Sequence, residues 1–175
     1  MFMRNTSSTE KSLSAAQYIL DQCREAGYGA ITPQQIIKLT YIAHGLMLGK
    51  YACPLLDEPT QSWPRGPVVA SVYHAVKRFR SATIPAVPGA RSDFPFSEDE
   101  TTVMRAVAKI YGKHSGVALA SVTNRTGTPW ARVRTMVGDN STISNDILRD
   151  YYERLLNYHA LFSEIETSHP SPVGW

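Results

Sequence analysis

Apolar residues recur every three or four positions along most of this chain, which is the period of amphipathic α-helices. The first such stretch ends at Gly27, and the second runs from a cap at Thr32 to about Gly49. The second stretch is apolar nearly all round, so we expect that helix at the centre of the core. The predicted structural core consists of Ile36, Leu39, Tyr41, Ala43, Val72, Leu148, Tyr151 and Leu155.

Local start signals predict where further helices begin. A Ser, Thr or Asp cap followed by Glu or Gln three residues later is a capping box, and proline favours the first helical position. These signals predict that the later helices begin at or directly after Pro67, Ser97, Ser115, Thr128 and Ser144. The final helix carries a 3-4-3 apolar spacing, which serves either core packing or dimerisation.

Two segments lack helical periodicity. Residues 51–65 contain two prolines and are predicted as a loop with a minor β-hairpin or short strands. Residues 81–96 are rich in proline and are expected to be a mobile surface excursion. The fold class is therefore mainly α: a single compact domain of six to eight helices over 12–166. A flexible N-terminus (1–11) and a flexible Pro-rich tail (167–175) are expected to flank it.

Composition narrows the class of protein. The chain has 175 residues, of which 43% are apolar and 19% charged, and these values exclude a disordered protein. Cys23 and Cys53 lie far apart without a CxxC pattern, so neither a disulfide nor a zinc site is expected. No apolar leader or membrane span is recognisable, so we expect a soluble, cytoplasmic protein.

The charge is unevenly distributed. Between Pro59 and Ser92 every charged residue is a cation, whereas the region after Gly138 is mostly acidic. The cations of the first segment are Arg65, Lys77, Arg78, Arg80 and Arg91. Such a split steers an acidic partner or a nucleic acid toward one face. The alternative is that these charges only solvate the surface, because they do not form a dense patch.

Motifs of catalysis are missing from the sequence. It contains no phosphate-binding loop, zincin motif or nucleophile elbow, and no two histidines have metal-ligand spacing. His44 lies in the most apolar helix, where a neutral core histidine is the usual role. We therefore expect neither cofactor nor metal and no enzymatic activity. An enzyme with a site around His44, His74 or His114 stays open as an alternative.

Two short constellations are candidates for binding a partner. The first is the turn Trp63-Pro64-Arg65-Gly66-Pro67, where Arg65 is available either to hold a carboxylate bidentately or to cap a carbonyl of its own protein. The second is the capped start Thr128-Pro129-Trp130. The predicted partner-binding residues are Trp63, Arg65, Gly66, Pro67, Tyr73, Trp130, Arg132 and Arg134. The alternative interpretation is that both tryptophans are core anchors.

Nucleic-acid binding is disfavoured on geometric grounds. Trp130 beside two arginines is a pattern that stacks a base and holds a phosphate. On a helix, however, Arg132 and Arg134 diverge by about 200° and do not grip one phosphate together.

The residues of these segments carry a family resemblance. The run Ile36-Ile37-Lys38-Leu39-Thr40-Tyr41, followed by Trp63-Pro64-Arg65-Gly66-Pro67-Val68 and later by Pro129-Trp130, resembles the Panacea antitoxin domain. This SocA-like family also includes phage-associated GepA-like proteins, and the resemblance extends over about residues 13–160. It implies a small, mainly helical bacterial or prophage protein that neutralises a co-encoded toxin.

The resemblance implies two mechanisms. The first is direct binding that covers the functional face of the toxin. The second, known for the SocA branch, is a proteolytic adaptor that delivers the toxin to a ClpXP-type protease, for which the tail is a candidate docking peptide. A homodimer and an RNA-binding phage protein remain further alternatives.

One departure from the family pattern concerns a polar residue. Many members have Leu-Thr-His shortly before the Pro-Trp pair, where this chain has Val122-Thr123-Asn124. Asparagine retains hydrogen bonding but does not titrate. A structural use of this position is therefore favoured over a catalytic one.

Overall fold

A computed structural model describes residues 7–168 of the chain, with side chains up to residue 160. In this range the fold is mainly α, as predicted, and about 61% of the residues are helical. The helices are α1 (Ser8–Glu25), α2 (Pro33–Tyr51), α3 (Ala70–Val76), α4 (Glu98–Tyr111), α5 (Gly116–Asn124), α6 (Pro129–Met136) and α7 (Asn145–Ser168). A 3-10 turn (Lys77–Phe79) follows α3. The strands are β1 (Thr60–Trp63), β2 (Gly66–Val69) and β3 (Ser141–Ile143).

Helix α2 is the central element of the domain, as its apolar pattern predicted. It begins at Pro33, and the backbone N–H of Thr32 donates to Oε1 of Gln35 over 2.9 Å. It packs against α1, α4, α5 and α7. Six of the predicted core residues are buried: Ile36, Leu39, Tyr41, Ala43, Val72 and Leu148. Tyr151 and Leu155 are partly buried and pack against this core.

Two glycines allow α7 to approach the backbone of α2. A Cβ on Gly45 would lie 2.1 Å from the ring of Tyr152, and one on Gly49 would lie 2.7 Å from the backbone of Tyr152. These separations are far below van der Waals contact, so neither position accepts a side chain without moving α7. The close approach makes the α2–α7 pair the most extensive helix contact of the domain.

The three strands form a small antiparallel sheet in the order β2-β1-β3. Trp63 pairs with Gly66 in the β1–β2 hairpin, and Thr60 pairs with Ile143 of β3. The prediction that Pro67 opens a helix is wrong: Pro67 lies in β2, and α3 begins at Ala70. Because β2 is an edge strand, a proline without an N–H is tolerated there.

Two of the three strands lie outside residues 51–65, the segment in which strands were predicted. β2 lies just after residues 51–65, and β3 was not predicted. A strand of three residues is too short to show an alternating pattern in the sequence. It forms because β1 offers it a partner.

Helix α1 begins earlier than the sequence predicted. The Ser7 hydroxyl accepts from the backbone N–H of Glu10 over 3.0 Å, so the helix starts at Ser8. Lys11 then pairs with Glu100 of α4 at 2.8 Å. Residues 8–11 therefore belong to the folded domain, whereas 1–6 and 169–175 lie outside the described residues.

The segment 81–96 has no helix or strand, as predicted, but it is attached to α1. Ile84 and Val87 are buried in the core. The Arg24 guanidinium donates to the carbonyl of Ile84 over 2.8 Å, and Gln17 accepts from the N–H of Val87 over 2.7 Å. These contacts hold the segment against the domain.

Within residues 7–168, none of the helices has the length and apolar character that crossing a membrane requires.

We predict that Tyr41→Phe stabilises the protein. The Tyr41 hydroxyl is buried and has no hydrogen-bond partner among the described residues. Removing an unsatisfied buried hydroxyl should raise the free energy of unfolding by about 1 kcal/mol. Urea denaturation measures the change, with Tyr28→Phe at a partly buried tyrosine as the control. Unchanged or reduced stability would show that the hydroxyl is satisfied.

Candidate partner-binding surface

The β1–β2 hairpin presents the predicted turn at the protein surface. Pro64 and Arg65 form its two-residue connection and are exposed, whereas Gly66 and Pro67 are buried beneath it. The Arg65 side chain has no ion pair with the described residues. The turn thus carries an arginine whose charge remains available to a partner.

Three side chains from three different helices hold the carbonyl groups of this hairpin. Trp130 Nε1 of α6 donates to the Trp63 carbonyl over 2.7 Å. Asn124 Nδ2 of α5 donates to the Arg65 carbonyl over 2.9 Å, and Lys38 Nζ of α2 donates to the Pro67 carbonyl over 3.1 Å. We call Lys38, Asn124 and Trp130 the hairpin clamp. The clamp connects the carbonyls of residues 63, 65 and 67 to helices α6, α5 and α2.

The orientation of Asn124 is fixed by its neighbour. The Thr123 hydroxyl donates to Asn124 Oδ1 over 2.8 Å, which directs the amide nitrogen toward the Arg65 carbonyl. Asn124, at the position where many family members have histidine, therefore makes a structural contact with the hairpin. An amide supplies the required donor without the change of charge that a histidine undergoes on titration.

Gly66 is required by the clamp and by its own backbone conformation. Its φ is +129°, a value that L side chains rarely adopt. A Cβ at this position would lie 2.2 Å from Lys38 Nζ and 2.5 Å from Asn124 Oδ1. The absence of a side chain at Gly66 is what lets both clamp groups reach the hairpin.

Lys38 brings a charge into the interior. It is only 4% exposed, and no acidic residue in the described range pairs with it. Burial lowers the pKa of Lys38 to about 8, so the ammonium is still mostly protonated at neutral pH. Its charge is stabilised by the carbonyl dipole of Pro67 instead of a carboxylate.

Aromatic rings surround the base of the turn. The Trp63 ring lies 4.8 Å from Tyr73 and 5.9 Å from His74, and its Nε1 donates to Gln61 over 2.7 Å. Trp63 and Tyr73 are each half-buried and present part of their surface beside Arg65. They supply the apolar part of the candidate surface.

Trp130 plays a different role from Trp63. It is only 9% exposed, and the Arg134 guanidinium lies 4.6 Å from its ring centroid. Arg134 also pairs with Asp139, so its charge is already neutralised. Trp130 therefore supports the hairpin from below and offers little surface of its own to a partner.

A cleft of about 460 Å³ lies between the end of α5 and helix α6. It is lined by Asn124, Thr126, Trp130, Ala131, Arg134, Thr135, Gly138 and Asp139. Arg132 does not line it, because Arg132 and Arg134 diverge by about 200° on α6. Apart from Arg132, the structure brings all the predicted partner-binding residues together around the hairpin.

The sequence reasoning did not assign a functional role to Lys38 or to Asn124. The available signal was a lysine in an otherwise apolar helix, which marks a buried polar group that needs a specific partner. The contact between Asn124 and the hairpin spans 59 positions. Sequence periodicity does not report such a contact.

His44, one of the three histidines considered for an enzyme site, makes structural contacts. His44 is buried; its Nδ1 accepts from the Leu56 N–H over 3.2 Å, and its Nε2 lies 3.0 Å from Asn145 Oδ1. Burial lowers the pKa of His44, so its ring is neutral and joins α2 to α7 and to the loop before β1. Among the described residues, no group of three or more His, Cys, Asp or Glu is placed to bind a metal ion.

The family comparison agrees with this arrangement. The family model of the antitoxin SocA-like, Panacea domain matches residues 36–131, more than half of the chain. The chain therefore belongs to this antitoxin family. The matched range contains the hairpin and all three clamp residues. None of the curated proteins matches the chain, and none of the solved structures does.

We predict that Gly66→Ala is strongly destabilising. The new methyl group would collide with Lys38 and Asn124 and would also strain the backbone. Gly138→Ala is the matched control, because Gly138 has a similar φ of +117° with nothing within 4 Å of its Cβ position. The free energy of unfolding should fall by about 2 kcal/mol more for Gly66→Ala than for the control. Equal losses in urea denaturation would mean that the clamp does not occupy this space.

We predict that Lys38 makes stability rise with pH in mildly alkaline solution. Between its folded pKa of about 8 and the higher unfolded value, the unfolded state binds the additional proton, so raising the pH favours the folded state. The gain should be about 1 kcal/mol between pH 8 and 9. Lys38→Met should lack this component.

The measurement for Lys38 is the difference between the wild-type and Lys38→Met stability curves. This difference removes the opposing effect of Cys23, whose pKa burial raises to about 11. Parallel curves for the two proteins would show that Lys38 has an ordinary pKa in the folded state.

Proposed function

We propose that this protein is an antitoxin that neutralises a co-encoded toxin by binding it directly, without a catalytic step. The contact surface is the hairpin face, which we define as Trp63, Arg65, Tyr73 and the cleft beside α6. The observation that supports this assignment is the hairpin clamp. Three buried or half-buried side chains donate to a turn whose exposed residues, Pro64 and Arg65, include an arginine without an ion pair among the described residues.

The mechanism is occlusion of the toxin's functional face. A clamped hairpin is ordered before the partner arrives, so binding does not have to order the turn. Arg65 at the tip offers planar, bidentate donors to a carboxylate. The half-buried rings of Trp63 and Tyr73 provide apolar contact next to that charge.

The test is to express this protein together with the product of the neighbouring gene in a host whose growth that product inhibits. The wild-type protein should restore growth and should co-purify with that product. Arg65→Ala and Trp63→Ala should each weaken the complex by about 2 kcal/mol if they are hot spots. Lys109→Ala, at an exposed lysine on α4, is the control and should have no effect.

Two results would contradict this proposal. A neighbouring product that is harmless alone, or that stays toxic beside this protein, would exclude neutralisation of that product. Loss of the toxin from cells that contain an active ClpXP-type protease, but not from cells without it, would indicate delivery to the protease instead of occlusion.

A further inference from the structure

The segment from Pro59 to Ser92 carries five cations and no acidic residue. Arg91 is compensated, since it pairs with Asp93 at 2.7 Å and with Glu10 at 3.5 Å. The other four form no ion pair within the described part of the chain. We call these four, Arg65, Lys77, Arg78 and Arg80, the cationic strip.

The cationic strip belongs to the same surface as the hairpin. Lys77 Nζ lies 6.0 Å from the centroid of the Tyr73 ring, and Tyr73 in turn contacts Trp63 at the base of the turn. Arg78 and Arg80 follow directly in the 3-10 turn and the residue after it. All four residues are exposed.

The cations outnumber the acidic residues close to this surface. Asp139 is paired with Arg134, whereas Glu58, just before β1, accepts from the neutral Ser71 hydroxyl and keeps its negative charge. Four unpaired cations against this one carboxylate leave the surface positive. This local excess arises although the whole chain has a net charge of only +3.

We infer that the partner presents a carboxylate-rich protein patch to the cationic strip, which includes Arg65 at the tip of the hairpin. The inference rests on the proposed function and specifies the chemistry of the partner. The four cations of the strip have no ion pair within the described residues. Binding to a carboxylate-rich patch therefore breaks no ion pair among those residues. Complementary charge increases the rate of association and selects against partners of the same sign.

The aromatic contacts favour a protein over a nucleic acid as that partner. Stacking a base requires an open ring face. Trp130 is buried and covered by the Arg134 guanidinium, and the Trp63 ring already contacts Tyr73 and His74. The strip therefore lies beside rings that are only partly open, which suits contact with a protein surface better than the stacking of bases.

The experiment measures the affinity for the neighbouring gene product at low and high salt. Titration at about 50 mM and about 500 mM NaCl should show binding that weakens with ionic strength. Arg65→Glu combined with Lys77→Glu should reduce the affinity at low salt by about tenfold or more. Arg105→Glu combined with Lys109→Glu, on the exposed side of α4, makes the same change of net charge and should reduce it far less.

The outcomes distinguish failure of the inference from failure of the proposed function. A complex that forms but ignores both salt and the Arg65/Lys77 reversal would overturn the acidic partner and leave the antitoxin proposal in place. Absence of any complex would overturn both. A single-stranded RNA of about 20 nucleotides that binds the wild type and not the Arg65/Lys77 variant would assign the strip to nucleic acid instead. Circular dichroism confirms that both double variants are folded.

Discussion

The candidate surface depends on hydrogen bonds from two buried side chains and one half-buried side chain to three carbonyls of the hairpin. Lys38, Asn124 and Trp130 reach the hairpin from α2, α5 and α6, and each supplies one donor to a carbonyl. A buried carbonyl or ammonium without a partner is costly, so each group stabilises the position of the other. The turn is consequently part of the core's hydrogen bonding, although its tip is exposed.

This arrangement explains why α2 combines an apolar surface with a lysine. The helix fills the centre of the domain, and its glycines let α7 approach its backbone. Lys38 lies on the same helix and extends to β2. The position of the hairpin is thereby coupled to the best-packed helix, and the mobility that a two-residue turn normally has is reduced. In the proposed binding of a toxin, this coupling would limit the loss of entropy on association.

The aromatic and basic residues of the surface differ in whether they have partners within the fold. Trp130 and Arg134 are satisfied internally, one by the Trp63 carbonyl and the other by Asp139. Trp63 and Tyr73 are partly open, and Arg65 is free. Residues that look equivalent in the sequence, two tryptophans and several arginines, thus separate into supports and contacts. The difference lies in which of them found partners within the fold.

The sequence by itself determined most of the helices, because capping residues and the 3.6-residue period act over a few neighbouring positions. The caps at Thr32, Ser97 and Thr128 fixed the helix starts, and the all-apolar pattern of α2 placed it at the centre. Only the tertiary structure decided that Pro67 joins a strand and that β3 exists. It also decided that Lys38 and Asn124 hold the hairpin. Pro67 joins β2 because it pairs with Ser62 of β1. The clamp and the pairing of β3 depend on contacts between residues 29 to 83 positions apart, which local sequence patterns do not report.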